Sequence, residues 1–539
     1  MGHDPDALCD YPFPSARSAV VATDGVVATS QPLAAQAGIG VLAEGGNAVD
    51  AAIATAAALT VVEPCSNGLG SDAFAILWDG ERLHGLNGSG RWPAGNDADE
   101  LRAGGRDRVP TRGWTPVTVP GAVDSWAMLH DRFGSVPIAR LLEPARRYAE
   151  EGFPLSPVVA AQWSMSWPRF TGSDVPGLGD WGGVFGLDGR CPVAGERWAS
   201  PGHARGLRRL AEAGLRDFYE GQIAEAITAH AAANGGRMAP ADLADHRGQW
   251  VQPISTRYRD LDVWEIPPNG QGIAALLALG IAARTDVADH PQIDEASWHR
   301  QIEAMKLAFA DSDGAVGDME HVDVPVDRLL SSAHLDDRAA RITDVAGPAP
   351  LGEAVRGGTV YLCTADRDGM MVSFIQSNYM GFGSGVVVPS HGISLQNRGA
   401  GFDLAPGHPN EAAPGRRPRH TIIPGFLTRD GAPVGPFGVM GGEMQPQGHL
   451  QVVAAMADHG RNPQAALDAP RWQVDRDGTV RVEAETPADV VAGLEARGHR
   501  VVVEQSRLSF GRGQIIIRDD RGVYAAGTEP RADGAAVAI

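Results

Sequence analysis

Apolar and polar positions change their spacing repeatedly along the N-terminal part of this chain. Residues 19–29 alternate and are β-branched, as a strand would be, and Pro32 to Glu44 then reads as a helix ended by Gly45-Gly46. Asn47 is a good N-cap for the run Ala48 to Val62, nearly all alanine and aliphatic, which Pro64 stops. A helix apolar on almost every side is expected to be buried against a sheet. Ala73 to Trp78 predicts a strand, Asp79-Gly80 a hairpin turn, and the return strand runs towards Asn87. Helical periodicity then dominates the middle, within Thr115 to Glu151, Arg205 to Leu243 and Ala296 to Ala310.

After residue 358 the spacing switches to strands. Thr359–Ala365 and Met370–Gln376 are joined by Asp366-Arg367-Asp368-Gly369, a hairpin signal, and further strands are predicted at 392–396, 421–428, 479–483 and 514–518. One helix near Pro487 to Arg497 interrupts them. The stretch from Val345 to Gly358 is rich in proline and glycine and reads as an exposed loop, the kind of segment where chains are cut. There is no internal repeat. Helices flanking strands on both sides of one break predict a single layered core rather than the several domains that 539 residues would allow.

Composition narrows the partners. With 46 basic against 66 acidic residues the net charge is −20, which repels nucleic acid and anionic membrane surfaces and leaves a small-molecule substrate. The hydrophobic share of 43% excludes a disordered chain. Met1 to Ser18 lacks the basic start and apolar run of a signal peptide, and no long apolar run follows, so the expected compartment is the cytoplasm. Cys9, Cys65, Cys191 and Cys363 are widely spaced and read as reduced structural thiols; the 16 histidines form no metal motif, so neither metal nor cofactor is expected.

The chemistry concentrates at one junction. Thr359 follows Arg356-Gly357-Gly358 and opens a strand; were Gly358–Thr359 cut, its hydroxyl would gain its own base, an α-amine of pKa about 7.7–8.0. Consecutive amides at Gly441 and Gly442 can hold an oxyanion, or simply form a tight turn. Arg91, in a glycine-rich loop past a strand, could hold a carboxylate by two parallel hydrogen bonds, and His420 and Thr421 offer donors at a strand start.

These pieces occur in a recognisable order. The chain resembles the γ-glutamyltranspeptidase family through Glu44-Gly45-Gly46-Asn47-Ala48-Val49-Asp50-Ala51-Ala52, Asn67-Gly68-Leu69-Gly70, Val119-Pro120-Gly121-Ala122-Val123, the run from Glu303 to Asp311, Met440-Gly441-Gly442 and Asp468-Ala469-Pro470-Arg471. The resemblance implies an α+β fold, the four-layer αββα sandwich of N-terminal-nucleophile hydrolases, shared by a large chain 1–358 and a small chain 359–539 as one composite domain. It also implies that Thr359 is the nucleophile, that Gly441 and Gly442 form the oxyanion hole, that Arg91 grips the substrate's α-carboxylate with His420 and Thr421 assisting, and that Asn378 lies beside the donor pocket.

Departures bear on substrate. Gly401 stands where the family has the acid that holds the glutamyl ammonium, Arg398 is nearby, Gln376 replaces a threonine that supports the nucleophile, and Leu404 to Pro418 is short for a lid. Two enzyme readings follow: γ-glutamyl transfer or hydrolysis on glutathione-like donors, with water or an amine as acceptor, which the motif set favours, and a glutaryl or cephalosporin acylase type of amidohydrolase for dicarboxylic monoamides, which Gly401 favours. An unprocessed, non-catalytic binding protein is the third.

Overall fold

The computed structural model describes residues 17–349 and 357–539. Two seven-stranded sheets lie at its centre. One runs, in spatial order, through Ala535–Ala538, Gly25–Thr29, Gly358–Asp366, Met371–Tyr379, Asp72–Trp78, Leu83–Asn87 and Gln249–Val251. The other runs through Val20–Ala22, Tyr524–Thr528, Arg512–Arg518, Ala432–Met440, Gly425–Arg429, Leu261–Glu265 and Ile254–Tyr258. Between them lies a core that includes Phe74, Tyr361, Ile375, Phe426, Met440 and Ile516.

Helices cover both outer faces. Ala48–Val62, with Pro32–Ala43 and Ala122–Phe133, packs on the first sheet; Gly272–Ala282, Glu295–Asp313 and Met444–His459 pack on the second. This is the αββα sandwich expected. The helix Ala48–Val62 is buried at every residue and starts as its sequence says: the Asn47 side chain accepts from the Val49 and Asp50 amides at 2.9 and 3.0 Å, and Asp50 accepts in return from the Asn47 amide at 3.0 Å. Among the described residues, no helix is long and apolar enough to cross a membrane.

The structure corrects several sequence expectations. The run 19–29 is two strands, because a bend at Thr23-Asp24 passes the chain from one sheet to the other. Ala432–Met440 is a central strand although Pro433, Gly435, Pro436 and Gly438 read as loop; Gly435 takes a φ of +148°, and a Cβ there would meet the Ile516 carbonyl. Met444–His459 was hidden by Gln445, Gln447 and His449, polar groups that are buried and bonded. Of the loop expected over 345–358, residues 350–356 lie outside the described residues, as do Cys9 and the rest of 1–16. The short stretch after Leu404 is packed, with Leu404 and Ala412 against Trp92 and Phe402.

Candidate active site

Thr359 is the second residue of the strand Gly358–Asp366, whose antiparallel partner is Met371–Tyr379. Their register pairs Thr359 with Ser377 and Gly358 with Tyr379, so Asn378 is the extra residue of a bulge beside the junction. The bulge keeps both hydroxyls on the inner side of the sheet. Thr359 Oγ1 lies 2.9 Å from Ser377 Oγ, which donates to the Gly358 carbonyl at 2.8 Å and accepts from the Tyr379 amide at 2.8 Å. Either hydroxyl can donate across the Thr359–Ser377 contact. One side chain therefore both orients the threonine and polarises the carbonyl that precedes it.

The backbone approaches this junction closely. A Cβ on Gly357 would sit 2.8 Å from the Tyr379 carbonyl oxygen and 3.2 Å from the Gly442 amide nitrogen. On Gly358 it would sit 2.9 Å from the Cys65 carbonyl oxygen. Glycine at both positions is thus required by space. Gly441 and Gly442, with φ of +142° and +64°, end the central strand and lead into the helix Met444–His459, whose N-terminal field favours a developing oxyanion. Gln271 ties these parts together, donating through Nε2 to the Thr421 carbonyl at 2.6 Å and to the Gly442 carbonyl at 2.9 Å. A cleft of about 200 Å³ opens beside them, lined by Gly358, Gly441, Ser166, Met165, Gln473 and Arg512.

The remaining candidates divide. Thr421 is buried and accepts from Arg398 Nη1 at 2.7 Å, while Arg398 Nη2 reaches Ser377 at 3.3 Å, so Thr421 belongs to the hydroxyl network of Thr359. His420 is turned the other way, 3.0 Å from Asp72 and tilted against the Phe74 ring. Its Nδ1 accepts from the Ile422 amide at 3.4 Å, which leaves Nε2–H to donate to Asp72. Asn378, fully buried, accepts from Ser71 Oγ at 2.8 Å on the helix side of the sheet, opposite to Thr359. Arg91 makes none of these contacts; its guanidinium is held by Glu320 at 2.5 Å, next to a cavity that shares no lining residue with the cleft at Thr359. The carboxylate grip expected of Arg91 is therefore occupied by a side chain of the protein itself.

Gln376, expected to leave Thr359 without support, faces Trp126 and Asn67 at 3.1 and 2.8 Å. The supporting hydroxyl comes from the next residue. Ser377, Gln271 and Asp72 are the participants that motif reading missed.

Burial pushes the Asp72 carboxyl up to about 7, against the opposing pull of Arg398, and drives His420 well below the usual imidazole range. An acid whose folded-state pKa is raised binds its proton more tightly when folded, so stability falls as pH rises from the unfolded value, about 4, towards 7. Relative to Asp72→Asn, the parent protein is expected to lose up to about 1.4 kcal/mol per pH unit across that window and little above it. Urea midpoints of the two proteins at a series of pH values check this; parallel profiles would show that Asp72 is ionised throughout.

The family model of γ-glutamyltranspeptidase matches residues 34–539. The chain is 37% identical over 533 residues to the glutathione hydrolase-like YwrD proenzyme of Bacillus subtilis, covering 96% of this chain and 99% of that protein. It is 34% identical over 533 residues to the oxamate amidohydrolase proenzyme of Klebsiella pneumoniae, with the same coverage. Among solved structures, a cephalosporin acylase from Bacillus halodurans is similar at 51% identity and a TM-score of 0.94, covering 98% of each chain.

Proposed function

Because the chain belongs to the γ-glutamyltranspeptidase family, we propose that it is a self-cutting amidohydrolase that takes the acyl group of a dicarboxylic monoamide onto Thr359. The enzyme class is that of its relatives, hydrolases and acylases of the N-terminal-nucleophile type. The observation that carries the mechanism is the Ser377 hydroxyl set between Thr359 Oγ1 and the Gly358 carbonyl.

In the first stage Thr359 Oγ1 attacks the Gly358 carbonyl carbon. The Gly358–Thr359 C–N bond breaks as an ester forms, and the proton goes to the freed amine; water then hydrolyses the ester to the Gly358 carboxylate and a free Thr359 hydroxyl. The small chain 359–539 now begins with the nucleophile and its base. In the second stage the α-amine takes the hydroxyl proton as Thr359 attacks the substrate amide, and passes it to the leaving amine. Gly441 and Gly442 stabilise the oxyanion in each stage. Water resolves the acyl-enzyme.

Among the described residues, the acyl side lacks a free carboxylate to anchor an α-ammonium. Position 401 lies against the Arg419 carbonyl and near the Tyr379 hydroxyl, and as glycine it brings no carboxylate there. The neighbouring acids Asp313 and Glu443 are already paired with Arg419 and Arg476. A buried, unpaired ammonium is costly, which disfavours γ-glutamyl donors relative to the same chain without its amine. The cephalosporin acylase and oxamate amidohydrolase relatives agree with this; the glutathione hydrolase-like relative favours a γ-glutamyl donor as the second reading. Purified enzyme is expected to prefer glutaryl anilide over γ-glutamyl anilide by at least about tenfold in kcat/KM. A γ-glutamyl preference would overturn the acyl assignment while leaving the nucleophile in place.

A further inference from the structure

Among the described residues, Arg398 has no carboxylate within hydrogen-bonding distance. It is fully buried in the turn Arg398–Gly401, its guanidinium 4.1 Å from the centre of the Tyr379 ring. Its side-chain partners are two hydroxyls, Thr421 Oγ1 at 2.7 Å and Ser377 Oγ at 3.3 Å, and its Nε has none among the described residues. The carboxyl that acts on it is that of Asp72, which is not within hydrogen-bonding distance and is bonded to His420 and the Gly121 amide. Desolvating a guanidinium without a counter-charge is expensive, and structural arginines elsewhere in this chain avoid it: Arg471 and Arg531, equally buried, pair with Glu529 and Glu483.

The position of this cation is as informative as its charge. A single hydroxyl, Ser377 Oγ, separates the guanidinium from Thr359 Oγ1. Tyr379, on whose ring Arg398 stacks, also turns its carbonyl towards Gly357, where a Cβ would sit 2.8 Å away, so Arg398 and the junction share one neighbour.

We propose that Arg398 binds the free carboxylate of the acyl group carried by Thr359, and that the one-hydroxyl spacing selects short dicarboxylic monoamides, of the oxamate, malonamate and succinamate series, over glutaramates. The assignment rests on the amidohydrolase reading above and deepens it. The incoming carboxylate supplies the missing counter-charge and can engage the unpartnered Nε together with an Nη, the paired geometry that guanidinium offers and ammonium does not. It places the anchor at Arg398, in the small chain beside the nucleophile, in a position where Arg91, held by Glu320, does not reach.

The test uses p-nitroanilides of oxalic, malonic, succinic and glutaric acids beside the uncharged acetyl and butyryl anilides, with the mature parent enzyme and Arg398→Gln. The parent is expected to favour the oxalyl-to-succinyl donors over glutaryl. Arg398→Gln is expected to lower kcat/KM on charged donors about ten- to a hundredfold more than on uncharged donors, the scale of a hydrogen bond to a charged group, whatever common loss both series share through Ser377. Equal losses on charged and uncharged donors would overturn the proposal and make Arg398 a positioning residue for Ser377. A cut enzyme that hydrolyses γ-glutamyl anilide and none of the amine-free donors would instead overturn the amidohydrolase reading, and this proposal with it. Should Arg398→Gln fail to fold or cut itself, inhibition of the parent enzyme decides: oxalate and malonate are expected to compete at least about tenfold more tightly than acetate, and equal inhibition would overturn the assignment.

Discussion

Thr359→Ala is expected to persist as one band of the full 56.6 kDa, where the parent separates into chains 1–358 and 359–539, and to hydrolyse no anilide. Both losses have one cause. The hydroxyl that attacks the Gly358 carbonyl in the first stage is the one that attacks the substrate in the second, and no neighbouring group can replace it: the Ser377 hydroxyl already donates to that carbonyl, and burial pushes the Cys65 thiol up to about 12, leaving no thiolate at neutral pH. Removing a nucleophile costs about 10⁶ in kcat where it has been measured by substitution, which puts the variant below detection. Thr359→Ser keeps a hydroxyl and is expected to cut itself, more slowly. Denaturing gels and a p-nitroanilide assay read both outcomes. Turnover surviving in Thr359→Ala would mean that another residue carries the reaction, and a parent protein that stays uncut would make the chain a non-catalytic binding protein.

Much of the fold was legible because local and global preferences agree. Ala48–Val62 has its N-cap, its capping partner Asp50 and its unbroken apolar surface in one stretch, and the structure buries all of it. The Gly358–Thr359 junction, on which the proposed mechanism turns, was legible as a strand start from its Gly-Gly-Thr sequence and from the order of motifs. What motif matching could not supply is register. Counting back from the Asp366–Gly369 turn, with Ala365 opposite Met371, brings Thr359 opposite Ser377, not Gln376. The period-2 alternation then turns Gln376 and Asn378 to the helix side and Ser377 to the inner side. Gln376 and Asn378 are read from their places in the family's motif, which carries no information about the face each side chain takes. The pairing of Arg91 was illegible for a different reason. Its partner Glu320 is 229 residues away in the chain, and no local pattern announces that ion pair. The charge of Arg398 is visible in the sequence, whereas its want of a carboxylate partner among the described residues is visible only once its neighbours are placed.

Ser377→Ala is expected to slow self-cutting by about 10²–10³, the cost of removing one donor aimed at a developing oxyanion. In the uncut chain this hydroxyl does two things at 2.8–2.9 Å: it donates to the Gly358 carbonyl and holds Thr359 Oγ1 by a hydrogen bond. Alanine removes both, so the carbonyl is less polarised and the threonine rotor is no longer held; the Tyr379 amide and Arg398 Nη2 also lose an acceptor. Ser377→Thr restores the hydroxyl at the same branch point and is expected to recover most of the rate, with any deficit reflecting the extra methyl group in a fully buried site. The time course of the two chains appearing on a gel after synthesis measures the effect, and a thermal midpoint within a few degrees of the parent's separates it from unfolding. After cutting, the Gly358 carbonyl is no longer a reacting group and the part left to Ser377 in turnover is to hold the threonine rotor, so substrate turnover by whatever fraction of Ser377→Ala has matured should fall less than the cutting rate does. Cutting at the parent rate in Ser377→Ala would show that the hydroxyl fills space beside the junction without polarising it, and the attack on Gly358 would then depend on the Gly441–Gly442 amides for its oxyanion.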